Sequence, residues 1–145
     1  MNTTSKSRLA RYLPIVARIV LGIIFFGSGV FGMLMALGVV PMQQPKEQMS
    51  DAATAFTTGL FKSGYLFQLI KATEIVSGAL LLAHRFTPLA LILLAPIVVN
   101  IFAVHLLLVP SGRPISIVLL VLEAYLAWAY RDSYRALFVA RARPS

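Results

Sequence analysis

The stretch Pro88-Leu-Ala-Leu-Ile-Leu-Leu-Ala-Pro96-Ile-Val-Val-Asn100-Ile-Phe-Ala-Val-His105-Leu-Leu-Leu-Val109 contains no aspartate, glutamate, lysine or arginine. A bilayer has a hydrocarbon core about 30 Å thick and needs roughly 20 helical residues at about 1.5 Å each to cross it. This stretch meets that length. Working outward, similar apolar runs occupy about residues 12–40, 65–84 and 114–132. The links between the later runs are short. His84-Arg85-Phe86-Thr87 joins the second to the third, and Pro110-Ser-Gly-Arg-Pro114 joins the third to the fourth. Short links force neighbouring antiparallel helices, and Pro88 and Pro114 suit the first turn of a helix. The expected fold class is all-α: an integral-membrane four-helix bundle in which the whole chain, residues 1–145, forms one membrane domain.

Composition points the same way. Apolar residues make up 59% of the chain and charged residues only 12%, against about 25% charged in a typical soluble domain. A soluble protein of this make-up would expose patches that drive aggregation. The formal net charge is +8, but the basic residues flank the apolar runs rather than forming a nucleic-acid face. They suit anionic lipid headgroups instead. The expected partner is therefore the lipid bilayer and not nucleic acid. There is no cysteine, which excludes disulfides, thiol redox chemistry and thiolate metal sites.

The first run, Tyr12 to Val40, is preceded by Lys6, Arg8 and Arg11. It exceeds the roughly 7–15 residues of a signal-peptide core, and no convincing small-x-small cleavage site follows it, so an uncleaved helix is expected. With four spans both ends share one side. That side carries Lys6, Arg8, Arg11, Arg85, Arg131, Arg135, Arg141 and Arg143, and the other carries Lys46, Lys62 and Arg113. The positive-inside rule then puts both termini in the cytoplasm. The long connection from Pro41 to Gly64 repeats Met49, Ala52, Ala53, Phe56 and Leu60 at helical spacing, with Ser50 or Asp51 able to cap the start. A short amphipathic helix in the first extracytoplasmic loop is expected there.

Polar groups inside the runs each need a reason, because a charge in hydrocarbon costs about 2.5–3.5 kcal/mol on insertion scales. The candidates are Arg18, Lys71, Glu74, His105 and Glu123, with Ser28 and Asn100. Helical arithmetic sets Glu74, Asn100 and Glu123 near one mid-membrane depth, with Lys71 and His105 nearer the outer side. Lys71, Glu74 and Gly78 share one stripe, and Ser116, Glu123 and Tyr130 another. Helices in chain order would set Glu74 against Glu123. Ser28, Gly32 and Ala36 make a small-residue series suited to close helix approach. Pro96 removes a donor and is a kink point ahead of Asn100. These seven residues are the candidate ligand-binding set; the alternative for Ser28, Asn100, Glu74 and Glu123 is to join helices, for His105 to hydrogen-bond outward near the interface, and for Arg18 and Lys71 to snorkel to their nearer headgroup layers.

Other chemistry is excluded by spacing. His84 and His105 sit at opposite ends of neighbouring runs, about 20–25 Å apart in depth, and cannot bracket one haem. No glycine-rich nucleotide loop and no HExxH motif is present. Glu74, His105 and Glu123 lack the Glu-x-x-His spacing of a bundle metal site, so no metal is expected. Trp128, Tyr125 and Tyr130 suit an interfacial aromatic belt.

The stretches Arg18-Ile-Val-Leu-Gly22 with Phe25 and Gly29, Ser63-Gly-Tyr-Leu-Phe-Gln-Leu-Ile-Lys-Ala-Thr-Glu74, and Gly78-Ala-Leu-Leu-Leu82 resemble the DoxX family. So do Pro88 to His105, with Pro96 and Asn100, and the ending Glu123-Ala-Tyr-Leu-Ala-Trp-Ala-Tyr-Arg-Asp132. The resemblance covers about residues 12–138 and carries no catalytic motif. It implies a four-helix protein of the bacterial inner membrane. Relatives include subunits of a thiosulfate:quinone oxidoreductase and partners in a thiol and oxidative-stress complex. The expectation is a small subunit of a quinone-linked or other redox complex, with a partner protein and a polar centre for a quinone or small amphiphile. Two alternatives stay open. One is a structural subunit without chemistry of its own, and the other a small transporter or proton path through Glu74 and Glu123.

Overall fold

Apolar runs broken by glycine and proline make five helices in the computed structural model, which describes residues 3–41 and 49–138. They are α1 (Thr3–Ala36), α2 (Asp51–Lys62), α3 (Leu66–Leu82), α4 (Thr87–Leu107) and α5 (Arg113–Ala129). One 3-10 turn (Pro110–Gly112) precedes α5 and a 3-10 segment (Arg131–Phe138) follows it. Among the described residues there is no strand. Lys46, Arg141 and Arg143, used above to orient the chain, lie outside the described residues.

The helix ends correct the expected boundaries, for local reasons. α1 begins well before Tyr12 and stops at Ala36 rather than Val40. Gly38 takes φ +73°, so the Gly38 and Val39 amides turn back onto the Met35 and Leu34 carbonyls at 3.1 and 2.9 Å. That pairing satisfies the last orphan acceptors of the helix. The same motif ends α3, with His84 at φ +54° and the His84 and Arg85 amides on the Leu81 and Leu80 carbonyls at 3.2 and 3.1 Å. His84 is thus the capping residue of a tight turn. α4 starts at Thr87, one residue before the expected Pro88, and runs uninterrupted through Pro96.

The expected amphipathic helix is α2. The Ser50 hydroxyl accepts from the Ala53 amide at 3.2 Å, the side-chain cap that a serine supplies. Ala53 is buried, but Ala52 faces outward, so Thr57 replaces it on the inner face. α2 and α3 do not form one straight helix. Gly64 takes φ +77°, and Ser63 Oγ donates to the Leu60 carbonyl at 2.7 Å while accepting from the Leu66 amide at 3.0 Å. The axis turns by 83° there. This break shortens the expected second run to Leu66–Leu82.

α1 and α3 make the most intimate pair, and each of the pairs α3–α4, α4–α5 and α5–α1 also packs together. The helices therefore neighbour one another in chain order. Hydrocarbon gives no hydrophobic drive for helices to associate, so close packing must supply it. A methyl on Gly29 would come 2.8 Å from the Ile75 amide nitrogen, and one on Gly78 would come 2.5 Å from that of Phe26. The backbones approach until only glycine fits. Behind this seam Leu21, Phe25, Leu81, Leu94, Val98 and Leu126 fill the core.

The outward faces are apolar: Val16, Ile23, Leu89, Val99, Val118 and Val121 are all exposed. Tyr12–Ala36, Thr87–Leu107 and Pro110–Ala129 are each long and apolar enough to cross a membrane, and α2 with α3 would make a fourth if the bent pair is one span. These features are those of a membrane protein. One end of the cluster, the loop end, carries Val40, α2 and Pro110–Gly112. The terminal end carries Tyr12, His84–Phe86 and Tyr130.

Candidate functional site

At the loop end α4 stands away from α1 and α3 and leaves a cavity of about 390 Å³. Ser28 of α1, Lys71 and Glu74 of α3, and Asn100 and His105 of α4 line it. Phe56 and Leu60 of α2 close its loop side, a consequence of the bend that lays α2 across α3. Phe61 stacks on Phe67 with ring centroids 4.3 Å apart and ties α2 down. Ile70, Ile97, Ile101 and Val104 make the walls apolar.

The polar floor is built from both sides of the α1–α3 seam. Lys71 and Glu74 are one turn apart on α3, which brings their side chains together. Lys71 Nζ donates to both Glu74 oxygens at 2.9 Å. Ser28 Oγ donates to Glu74 Oε2 at 3.0 Å across the seam. Gly32 makes room for the lysine stem, since a methyl there would meet Lys71 Cδ at 2.5 Å. The Lys71 ammonium also lies 5.5 Å from the Phe67 ring centre, a cation–π distance. Glu74 is 2% exposed and Lys71 15%, so the pair is removed from solvent yet mutually neutralised.

The α4 side is different. Asn100 makes no side-chain hydrogen bond to another described residue and is exposed on the cavity wall. His105 Nδ1 lies 2.8 Å from the Ile101 carbonyl. A carbonyl only accepts, so Nδ1 carries the proton and Nε2 is the acceptor of the neutral ring. The ring rests against Gly112, where any side chain would collide with it.

Five of the seven candidate residues thus share one cavity. Arg18 and Glu123 do not line it. Arg18 is 6% exposed and reaches down its own seam to donate through Nη1 to the Leu81 carbonyl, while its Nε has no partner. Glu123 is also 6% exposed, with Oε2 unpartnered. It lies on the buried face of α5 with Ser116. Tyr134 is its neighbour: burial and, second, the Glu123 carboxyl push the Tyr134 hydroxyl above the ordinary phenol value. Glu74 and Glu123 therefore belong to different neighbourhoods, although both point inward. Shared depth and inward faces could not reveal that, because they say nothing about which pair of helices separates.

Two contributions were missed by sequence reasoning. Phe56 and Leu60 of the loop helix line the cavity. Ser77 is fully buried with its hydroxyl unpartnered. It sits one turn past Glu74 on the same inward stripe, a signal the pattern did contain. Of the aromatic belt, Trp128 is exposed at the terminal end with the Arg131 guanidinium 4.7 Å from its ring centre.

No protein-family model matches the chain, and neither a curated protein nor a solved structure matches it.

Proposed function

We propose that the chain is a DoxX-like protein of a bacterial inner membrane, crossing it four times with both termini in the cytoplasm. In this reading it is a small subunit of a redox complex, and its cavity takes the head of a quinone or similar neutral amphiphile. The observation that carries the reading is the convergence of Lys71, Glu74, Asn100 and His105 from two helices on one cavity of about 390 Å³. That size falls within the roughly 300–1,000 Å³ of small-molecule sites, which combine apolar walls with a few polar groups.

The chemistry of the walls favours a neutral head. Lys71 and Glu74 cancel each other at 2.9 Å, so no net charge waits for a charged ligand. Asn100 offers an amide that can donate to a quinone carbonyl, and His105 Nε2 can accept from a quinol hydroxyl. The apolar walls accept a ring or a chain.

The test is thermal unfolding of the purified protein in mild detergent with a short-chain ubiquinone or menaquinone. Saturation at 100 times Kd would add about 2.7 kcal/mol of stability and raise Tm. Asn100→Leu should abolish the shift and leave the unliganded Tm near that of the parent. No shift with either quinone would sink the reading.

A second reading, a structural subunit without a ligand, is favoured by one observation. Ser28, Lys71 and Glu74 satisfy one another across the α1–α3 seam, so their polarity is explained by helix adhesion. It leaves Asn100 without a role.

A further inference from the structure

The cavity is not confined to the interior of the helix cluster. The buried face of α4 is Thr87, Ala90, Leu91, Leu94 and Val98. Pro96 and Asn100 each stand two residues beyond a member of that face, about 200° round the helix at 3.6 residues per turn. They belong to the outward face, and both are exposed, yet both line the cavity. The cavity therefore wraps past the edge of α4 onto its outer side.

That opening lies deep. From the α4 end at Leu107, Asn100 and Pro96 are roughly 10 and 16 Å down the helix at about 1.5 Å per residue. Phe56 and Leu60 of α2 line the loop side. The wall at Asn100 and Pro96 thus faces sideways, at hydrocarbon depth, while α2 lies across the side toward the loops. Below Asn100 the outer face of α4 continues as Pro96, Ile92 and Leu89, all exposed. Pro96 has no amide hydrogen, so the Ile92 carbonyl is left without its helical donor. An amide at Asn100 and the Ile92 carbonyl, which lacks its usual helical donor, then edge an apolar track. Such groups are costly against lipid unless something pairs with them.

We infer that the cavity admits its ligand sideways from the bilayer, and that the ligand is a membrane-dissolved molecule with a hydrogen-bonding head and an apolar tail. The head sits between Lys71, Asn100 and His105, and the tail leaves past Pro96 along the Ile92–Leu89 track. This rests on the reading of the cavity as a quinone-type site and adds the route and the tail.

The experiment uses the wild-type protein in lipid nanodiscs and two photoreactive decyl-quinones, one with a diazirine on the ring and one with it at the tail end. Competition with unlabelled decyl-quinone defines specific labelling. The ring probe should mark Asn100, His105 or Lys71, and the tail probe should mark Leu89 or Ile92 several-fold more than α2. Competed ring labelling with the tail on Thr58 or Lys62 of α2 would overturn sideways access and leave the site standing. No competed labelling by either probe would remove the site itself, and this inference with it. Ready disulfide dimers of Asn100→Cys, with no competed tail labelling on α4, would assign the outer face to a second copy and overturn the inference.

Discussion

Replacing Gly78 by alanine tests whether the α1–α3 seam holds the molecule together. Two effects oppose each other. Alanine is the better helix former by about 0.8–1.0 kcal/mol in a helix interior. Against that, the new methyl would lie 2.5 Å from the Phe26 nitrogen and 2.8 Å from its Cα, where ordinary contact begins at 3.4 Å. The colliding atoms are backbone and cannot swing aside, so α1 must move off α3 by most of an ångström. Overpacking of this kind costs about 1–3 kcal/mol. The shift would also stretch the 3.0 Å bond from Ser28 to Glu74, adding about 1 kcal/mol of lost hydrogen bonding. The net expectation for Gly78→Ala is a loss of roughly 1–3 kcal/mol after the propensity gain is set against it. Gly27 is the control: it is helical, and a methyl there meets nothing within 4 Å. Gly27→Ala should be neutral or stabilising. The assay is thermal or SDS-induced unfolding in mild detergent, followed by circular dichroism. If Gly78→Ala proves as stable as Gly27→Ala, the close seam is not what holds these helices.

Lys71→Met should cost about 3–5 kcal/mol, because it strands a buried carboxylate. Glu74→Gln should cost less, since its amide can still bond Ser28; equal losses in the same unfolding assay would argue that the pair is not coupled. Gly64→Ala places a methyl at φ +77° and should cost roughly 1–2 kcal/mol. It should also raise proteolysis within α2, and an unchanged cleavage rate would show that the bend is not held by this glycine. Glu123→Met removes a buried oxygen without a partner and should leave stability unchanged or raise it by about 1 kcal/mol; a large loss would show that the carboxyl has a partner in solution. For topology, single cysteines at Ser50 and Ser111 should react with an impermeant maleimide in intact cells while those at Ser5 and Ser145 do not, and the reverse pattern would invert the orientation.

Much of the fold was legible in the sequence because the bilayer imposes a length. A run such as Pro88 to Val109 has to be a helix once it lies in hydrocarbon, since no other structure satisfies its backbone internally. Short links at His84–Thr87 and Pro110–Pro114 then fix antiparallel neighbours, and Ser50 marks the start of α2. Helix ends were less legible. Whether α1 stops at Ala36 or Val40 depends on Gly38 adopting positive φ, and the α2–α3 bend depends on Gly64 and Ser63 doing their work together. Apolar content is blind to both.

By itself the sequence determined that the chain is helical, that its surface is apolar, and that Glu74 and Glu123 face inward, though not that Asn100 stands on the outer side of α4. A stripe at 3.6-residue spacing reports direction around one helix axis. It reports no distance between axes. Only the tertiary structure decided that Lys71, Glu74 and Ser28 share a neutral cluster, and that Glu123 sits with Tyr134 away from them. It also turned Phe56 and Leu60 into a cover for the cavity, and set Asn100 at its open edge. The physical reason is the uneven spacing of the helices. Gly29 and Gly78 draw α1 and α3 into backbone contact, and Gly22 and Gly32 make room for the Leu82 and Lys71 side chains, while nothing comparable draws α4 in at the loop end. The cavity is the space that difference leaves.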